Sequence, residues 1–164
     1  ITHLDSHMGT LFYVPEYFER YVKVGIEKQI PILIISGYGD AADGRQKALA
    51  ERLQKVSATV WEAGLPVLDH LMTSTANTSD PDEMIEALIN NLRNLKPGIT
   101  QVILHATRPG ENFGAISGSG GKREAELEMV LSDKVRKVIE EEGIILTTYR
   151  ELMERRQKIA AEEK

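Results

Sequence analysis

The feature that most restricts the fold of this chain is its alternation of short apolar runs with longer stretches of helical period. Five runs have the length and composition of strands: residues 1–7, 30–36, 66–71, 100–106 and 144–148. Between them apolar residues recur at intervals of three and four, as in Leu49, Leu53, Val56 and Val60, and again in Leu127, Val130, Leu131, Val135 and Val138. Strands that alternate with helices pack as repeated strand–helix units on a parallel sheet, so the chain is expected to be α/β with those stripes in its core.

Local signals punctuate the pattern. Asp80 can cap a helix, Pro81 suits its first turn, Glu83 can close a capping box, and Lys96-Pro97-Gly98 stops the run. Gly64 and Gly143 each end a helical run just before an apolar one, where a left-handed cap belongs. Residues 149–164 read as a charged helix. Two glycine-rich stretches, residues 37–44 and 109–121, each follow a strand, the position from which α/β folds present ligand-contacting loops or plain surface connections. The second contains Gly118 to Gly121 but lacks the Lys-Ser/Thr that completes a phosphate-binding loop.

With 164 residues, 41% of them hydrophobic, the chain has the size of one globular domain. A formal charge of −5 removes the usual electrostatic basis for binding nucleic acid or an anionic membrane. A neutral or cationic small substrate fits better. Without cysteine there is no disulfide scaffold, thiolate nucleophile or zinc–thiolate site. No apolar run approaches the roughly 20 residues that cross a bilayer, which makes the cytoplasm the default location. The sequence opens on Ile1 inside an expected strand, so further sequence is expected upstream. An incomplete sheet would then need its open edge covered, for which self-association as a homo-oligomer is one route.

Chemistry concentrates in the first run, Thr2-His3-Leu4-Asp5-Ser6-His7. As a strand it places His3, Asp5 and His7 on one face and Thr2, Leu4 and Ser6 on the other. An ordinary core strand would not turn imidazole, carboxylate and imidazole inward, since each needs a partner when buried. His7 lies nearest the strand's C-terminal end, where sites in such folds gather, and is the metal-ligand candidate, with a satisfied structural histidine as the alternative. Asp5 could orient a ring nitrogen, and His3, deeper in the strand, reads as structural. The run Thr100-Gln101-Val102-Ile103-Leu104-His105 likewise ends in a histidine. His105 is either a catalytic group or a strand-end histidine bonded to loop backbone. Asp69 and His70 end the third strand as lining or structural residues, while Arg108 and Glu111 sit in the loop after His105 as candidate substrate contacts.

The string His3-Leu4-Asp5-Ser6-His7 resembles the motif of the YdjC-like carbohydrate deacetylases of the ChbG/HpnK type. The resemblance implies a (β/α)-barrel of the polysaccharide-deacetylase-like type, of which residues 1–164 would form the C-terminal portion. By motif match it makes His7 a ligand of a divalent metal, magnesium or zinc. The family's other ligands, from an Asp-Asp and a Gly-x-His motif, have no counterpart in this sequence. His105, followed at a distance by Pro109-Gly110, resembles the family's late His-Pro-Gly, with Ala106, Thr107 and Arg108 intervening, and would act as general acid. Many members carry further histidines where this chain has Met8-Gly9-Thr10, so those roles do not transfer. The implied reaction is metal-assisted hydrolysis of the acetamide of an N-acetylated sugar or oligosaccharide. Hydrolysis of another amide or ester on the same scaffold, or a catalytically silent domain, are the alternatives.

Overall fold

The computed structural model describes residues 1–36, 44–73 and 75–162, with the side chains of residues 44–49 left aside. The glycine-rich run 37–43 and the Leu49 side chain therefore lie outside the described residues. In order, the elements are α1 (Thr10–Tyr13), α2 (Pro15–Lys28), α3 (Gly44–Glu62), β1 (His70–Met72), α4 (Pro81–Arg93), β2 (Thr100–Val102), α5 (Phe113–Ile116), α6 (Gly120–Leu131), α7 (Asp133–Glu141) and α8 (Tyr149–Glu162). They form two compact units, one of Ile1–His70 with Thr147–Lys164, the other of Leu71–Leu146.

In the first unit, parallel bridges join Leu4 to Ile32 and Ile35 to Leu68, so three consecutive extended segments pair in sequence order. Helix α2 starts with Pro15 in its first turn and ends at Gln29, a left-handed residue whose side chain donates to the carbonyls of Ile26 and Ala63. Its buried face carries Phe18, Tyr21, Val22 and Gly25. These pack with Ile32 and Ile34 of the second segment, Val60 of α3 and Leu65, while Leu4, Leu53, Val56 and Met153 close the edges. Gly25 is required by the packing, because a Cβ there would run into the Ile32 side chain. Helix α8 joins this unit through buried Leu152 and Arg156; the Arg156 guanidinium lies 4.1 Å from the Trp61 ring centroid and donates to the Trp61 carbonyl at 2.8 Å.

In the second unit, β1 and β2 are parallel neighbours. Helix α4 lays Met84, Ile85, Leu88, Ile89 and Leu92 against Ala125 and Met129 of α6 and Val135 and Val138 of α7. Its start is as the sequence implies at Asp80, whose carboxylate accepts the N–H groups of Asp82 and Glu83. Glu83 does not close a capping box, however, because the Asp80 N–H donates to Thr78 Oγ1 instead. Gly64 and Gly143 both take left-handed φ, as helix-ending glycines should.

The arrangement is thus a mixed α/β fold with parallel pairing within each unit, and no closed (β/α)-barrel is formed among the described residues. Three expectations are corrected. Residues 1–7 do not form one strand: pairing is confined to Leu4, and the backbone turns into a single 3-10 turn at His7–Gly9 with positive φ at Met8 and Gly9. Residues 144–148 form no strand; Ile145 and Leu146 stand 80% and 74% exposed, so strand-forming composition without a paired neighbour does not suffice. The long stripe from Leu127 to Val138 is two helices, because Ser132 takes extended dihedrals and resets the helical phase. Ala125, Glu126 and Met129 are then buried in α6, whereas Val130 and Leu131 face out.

Candidate functional site

Leu4 and Ser6 face inward in the first unit, Leu4 against the core and Ser6 with its hydroxyl accepting the Leu11 N–H at 2.9 Å. His3 and Asp5 share the opposite side, as a two-residue period requires, but that side is the open one: His3 is half-buried, and Asp5 and His7 are exposed. The expectation that the ionisable face turns into the interior is thereby corrected. With Asp5 and His7 in contact with water, neither needs the partner that burial would demand.

Tyr149, the first residue of α8, covers this motif. Its ring stacks on the His3 imidazole with centroids 4.1 Å apart and planes 10° from parallel. Burial first, and the Asp5 charge second, push the Tyr149 hydroxyl above the usual phenol range. Tyr21 sits beneath the same segment: its hydroxyl donates to the Leu4 carbonyl at 2.8 Å and accepts the Leu33 N–H at 2.8 Å. Burial pushes this phenol up as well, the bond from Leu33 opposes the shift, and Asp5 adds to it. The first turn of α8 is held by a capping box, with Glu151 accepting the Thr148 N–H and Thr148 Oγ1 accepting the Glu151 N–H. Bonds from Thr147 and Thr148 lower the Glu151 pKa.

His7 follows the Leu4 pairing at the C-terminal end of its segment, with its imidazole exposed on the 3-10 turn. In the second unit His105 lies three residues after β2 and is also exposed. Its N–H donates to the Glu126 carboxylate at 2.7 Å. Arg108 and Glu111 are exposed on the loop beyond it, while Asp69 and His70 are half-buried where β1 begins. A groove of about 480 Å³ in the first unit is lined by Phe18, Val22, Ile26, Arg52 and Val56, and no motif side chain borders it. Among the described residues no group of three or more His, Asp or Glu side chains is placed to hold a metal ion. His7 is chemically suited to be one ligand, but the described residues do not make a complete set.

A model of the YdjC-like protein family matches residues 1–141, a span that contains both His7 and His105. The chain belongs to the YdjC-like family. Among solved structures it is similar to a candidate cellobiose-phosphate cleavage protein from Enterococcus faecalis V583, with 19% identity and a TM-score of 0.64 over 92% of this chain and 52% of that one. The chain therefore spans about half the length of that relative and shares its fold over that half. A comparison with curated proteins finds no match. The YdjC-like match ends before α8, so Tyr149 lies beyond the span of the family model although it covers the motif within it. Sequence reasoning passes over Tyr21, Tyr149 and Glu126. For Glu126 a signal exists, a carboxylate on the helical face of Ala125 and Met129; for the tyrosines the contacts are long-range and leave no local pattern.

Proposed function

We propose that this chain is part of a carbohydrate hydrolase that removes acetyl groups from N-acetylated sugars with a divalent metal, magnesium or zinc. The observation that carries this reading is the YdjC-like match, which includes the His3-Leu4-Asp5-Ser6-His7 run and His105. The described relative from Enterococcus faecalis, with a name that refers to a sugar phosphate, agrees with a carbohydrate substrate. His7 would supply one imidazole ligand, and the remaining ligands would come from outside these residues. A bound divalent ion supplies carbonyl polarisation and a lowered pKa for its water.

The work of this chain's own residues is more specific. His3 and Asp5 hold the segment that leads to His7, His3 by stacking on Tyr149. Asp5 accepts the Ser6 N–H at 2.6 Å, which fixes the carboxylate at the entry to the His7 turn. Arg108 and Glu111, exposed and near His105 in sequence, would meet sugar hydroxyls. The His105 imidazole would pass a proton to the departing amine nitrogen, a step that general acids assist by about two to four orders of magnitude.

The test separates proton donation from metal binding. In the full-length protein, His105→Gln should lower kcat on an N-acetylated sugar by about a hundredfold or more, with metal content and KM nearly unchanged. An ester analogue, whose alkoxide needs the proton less than an amine does, should suffer a smaller loss. Equal losses on amide and ester accompanied by loss of metal would make His105 a ligand, and undiminished turnover of both would leave it structural.

A further inference from the structure

The last rung between β1 and β2 is the Ile103 N–H bonded to the Met72 carbonyl at 2.9 Å. In a parallel ladder every second N–H points toward the same neighbour, so the next donor on that side belongs to His105. It finds a side chain in place of a strand, the Glu126 carboxylate oxygen at 2.7 Å. Glu126 is only 6% exposed and lies on the α6 face that carries Ala125 and Met129 into the core. A carboxylate withdrawn from water is costly unless it is bonded, and the Glu126 bond in hand is to the backbone of a loop histidine. Helix α6 makes a second tie to the same loop, from the Thr107 N–H to the Arg123 carbonyl at 3.1 Å. The Arg123 side chain is engaged elsewhere, its Nε donating to Ser119 Oγ at 2.9 Å and its guanidinium lying 5.8 Å from the Phe113 ring centroid.

We propose that Glu126 is the positioning residue for His105: its buried carboxylate accepts the His105 N–H and fixes the backbone from which the imidazole projects. The functional half of this inference rests on the reading of His105 as the proton donor; the structural half does not. Proton transfer tolerates little misplacement of the donor, so an anchor that touches no substrate still governs the rate. Residues 105 and 107 are both tied to α6, but one tie runs through a side chain and the other through main chain, which allows the first to be removed alone.

The experiment uses the full-length protein with Glu126→Ala and Glu126→Gln, read by kinetics on an N-acetylated sugar and by amide hydrogen exchange at His105 and Thr107. Glu126→Ala is expected to speed exchange at His105 by about tenfold or more, leave Thr107 within about twofold, and lower kcat about tenfold or more at nearly constant KM. Glu126→Gln, whose amide oxygen accepts the same N–H, is expected to restore each value to within about threefold of wild type. Glu126→Leu, which keeps the core filled, replaces the alanine variant if that one does not fold, with the same losses expected. Unchanged exchange at His105, or equal acceleration at His105 and Thr107, overturns the proposal. Normal kcat in Glu126→Ala while His105→Gln is impaired also overturns it, and leaves the proton-donor reading intact. The expected exchange pattern in a protein that releases no acetate supports the anchor and removes the function proposed above.

Discussion

Removing one oxygen atom, in Tyr21→Phe, tests how the motif segment is held to its neighbour. The Tyr21 hydroxyl donates to the Leu4 carbonyl and accepts the Leu33 N–H, both at 2.8 Å, from a residue only 5% exposed. Loss of a buried partner is severe when it orphans a donor or acceptor, at about 1–3 kcal/mol for each group. Here neither group is orphaned, because the Leu33 N–H also reaches the Leu4 carbonyl directly at 3.1 Å. What remains is the net value of the two lost bonds, about 0.5–1.5 kcal/mol each, so the variant should lose about 1–3 kcal/mol in all. The phenylalanine ring keeps the edge-on contact with Phe12, whose centroid lies 5.6 Å from that of Tyr21. Urea unfolding followed by the fluorescence of Trp61, the single tryptophan and a member of the same unit, measures this directly. A loss well above about 3 kcal/mol at unchanged m would mean that the direct bond does not survive, and no loss at all would mean that the hydroxyl does not bridge the segments.

Gly25→Ala should destabilise the first unit by about 1–3 kcal/mol, since the new methyl meets Ile32, which is fully buried, and lies 3.2 Å from the Ile30 carbonyl. The helix propensity gained is about 1 kcal/mol at most, so a stabilised variant in the same urea assay would contradict the packing. Alkaline stability tests the two raised phenols. Their folded pKa values exceed the ordinary value of 10.0, so the stability they contribute is complete below pH 10 and is lost as pH rises beyond it. Tyr149→Phe should make that decline shallower by up to about 1.4 kcal/mol per pH unit, measured by urea unfolding at stepped pH, and an unaltered slope would place the Tyr149 hydroxyl in water.

Much of this was legible in the residues, for identifiable reasons. Asp80-Pro81 announced α4 because a cap and a first-turn proline act locally, and Gly64 and Gly143 announced helix ends because few other residues accept positive φ. Within the first unit the segments around Leu4, Ile32 and Leu68 pair in sequence order, and within the second β1 pairs with β2, as strand–helix alternation requires. What failed depended on neighbours. Residues 144–148 have strand composition but no strand beside them, and the 1–7 run is cut short by the turn at Met8 and Gly9. At the candidate site nothing local told that Tyr149 would stack on His3 or that Glu126 would hold His105.

The central claim, a metal-dependent deacetylase with His7 as a ligand, is tested most directly on the full-length protein by measuring bound metal and acetate release together in wild type, His7→Ala and His3→Ala. His7→Ala should lose both tight divalent binding and turnover while its fold is retained, since the His7 side chain is exposed. His3→Ala, which removes the ring stacked on Tyr149, should lose stability while retaining its metal. Full metal content and undiminished acetate release in His7→Ala, with both lost in His3→Ala, would contradict the account.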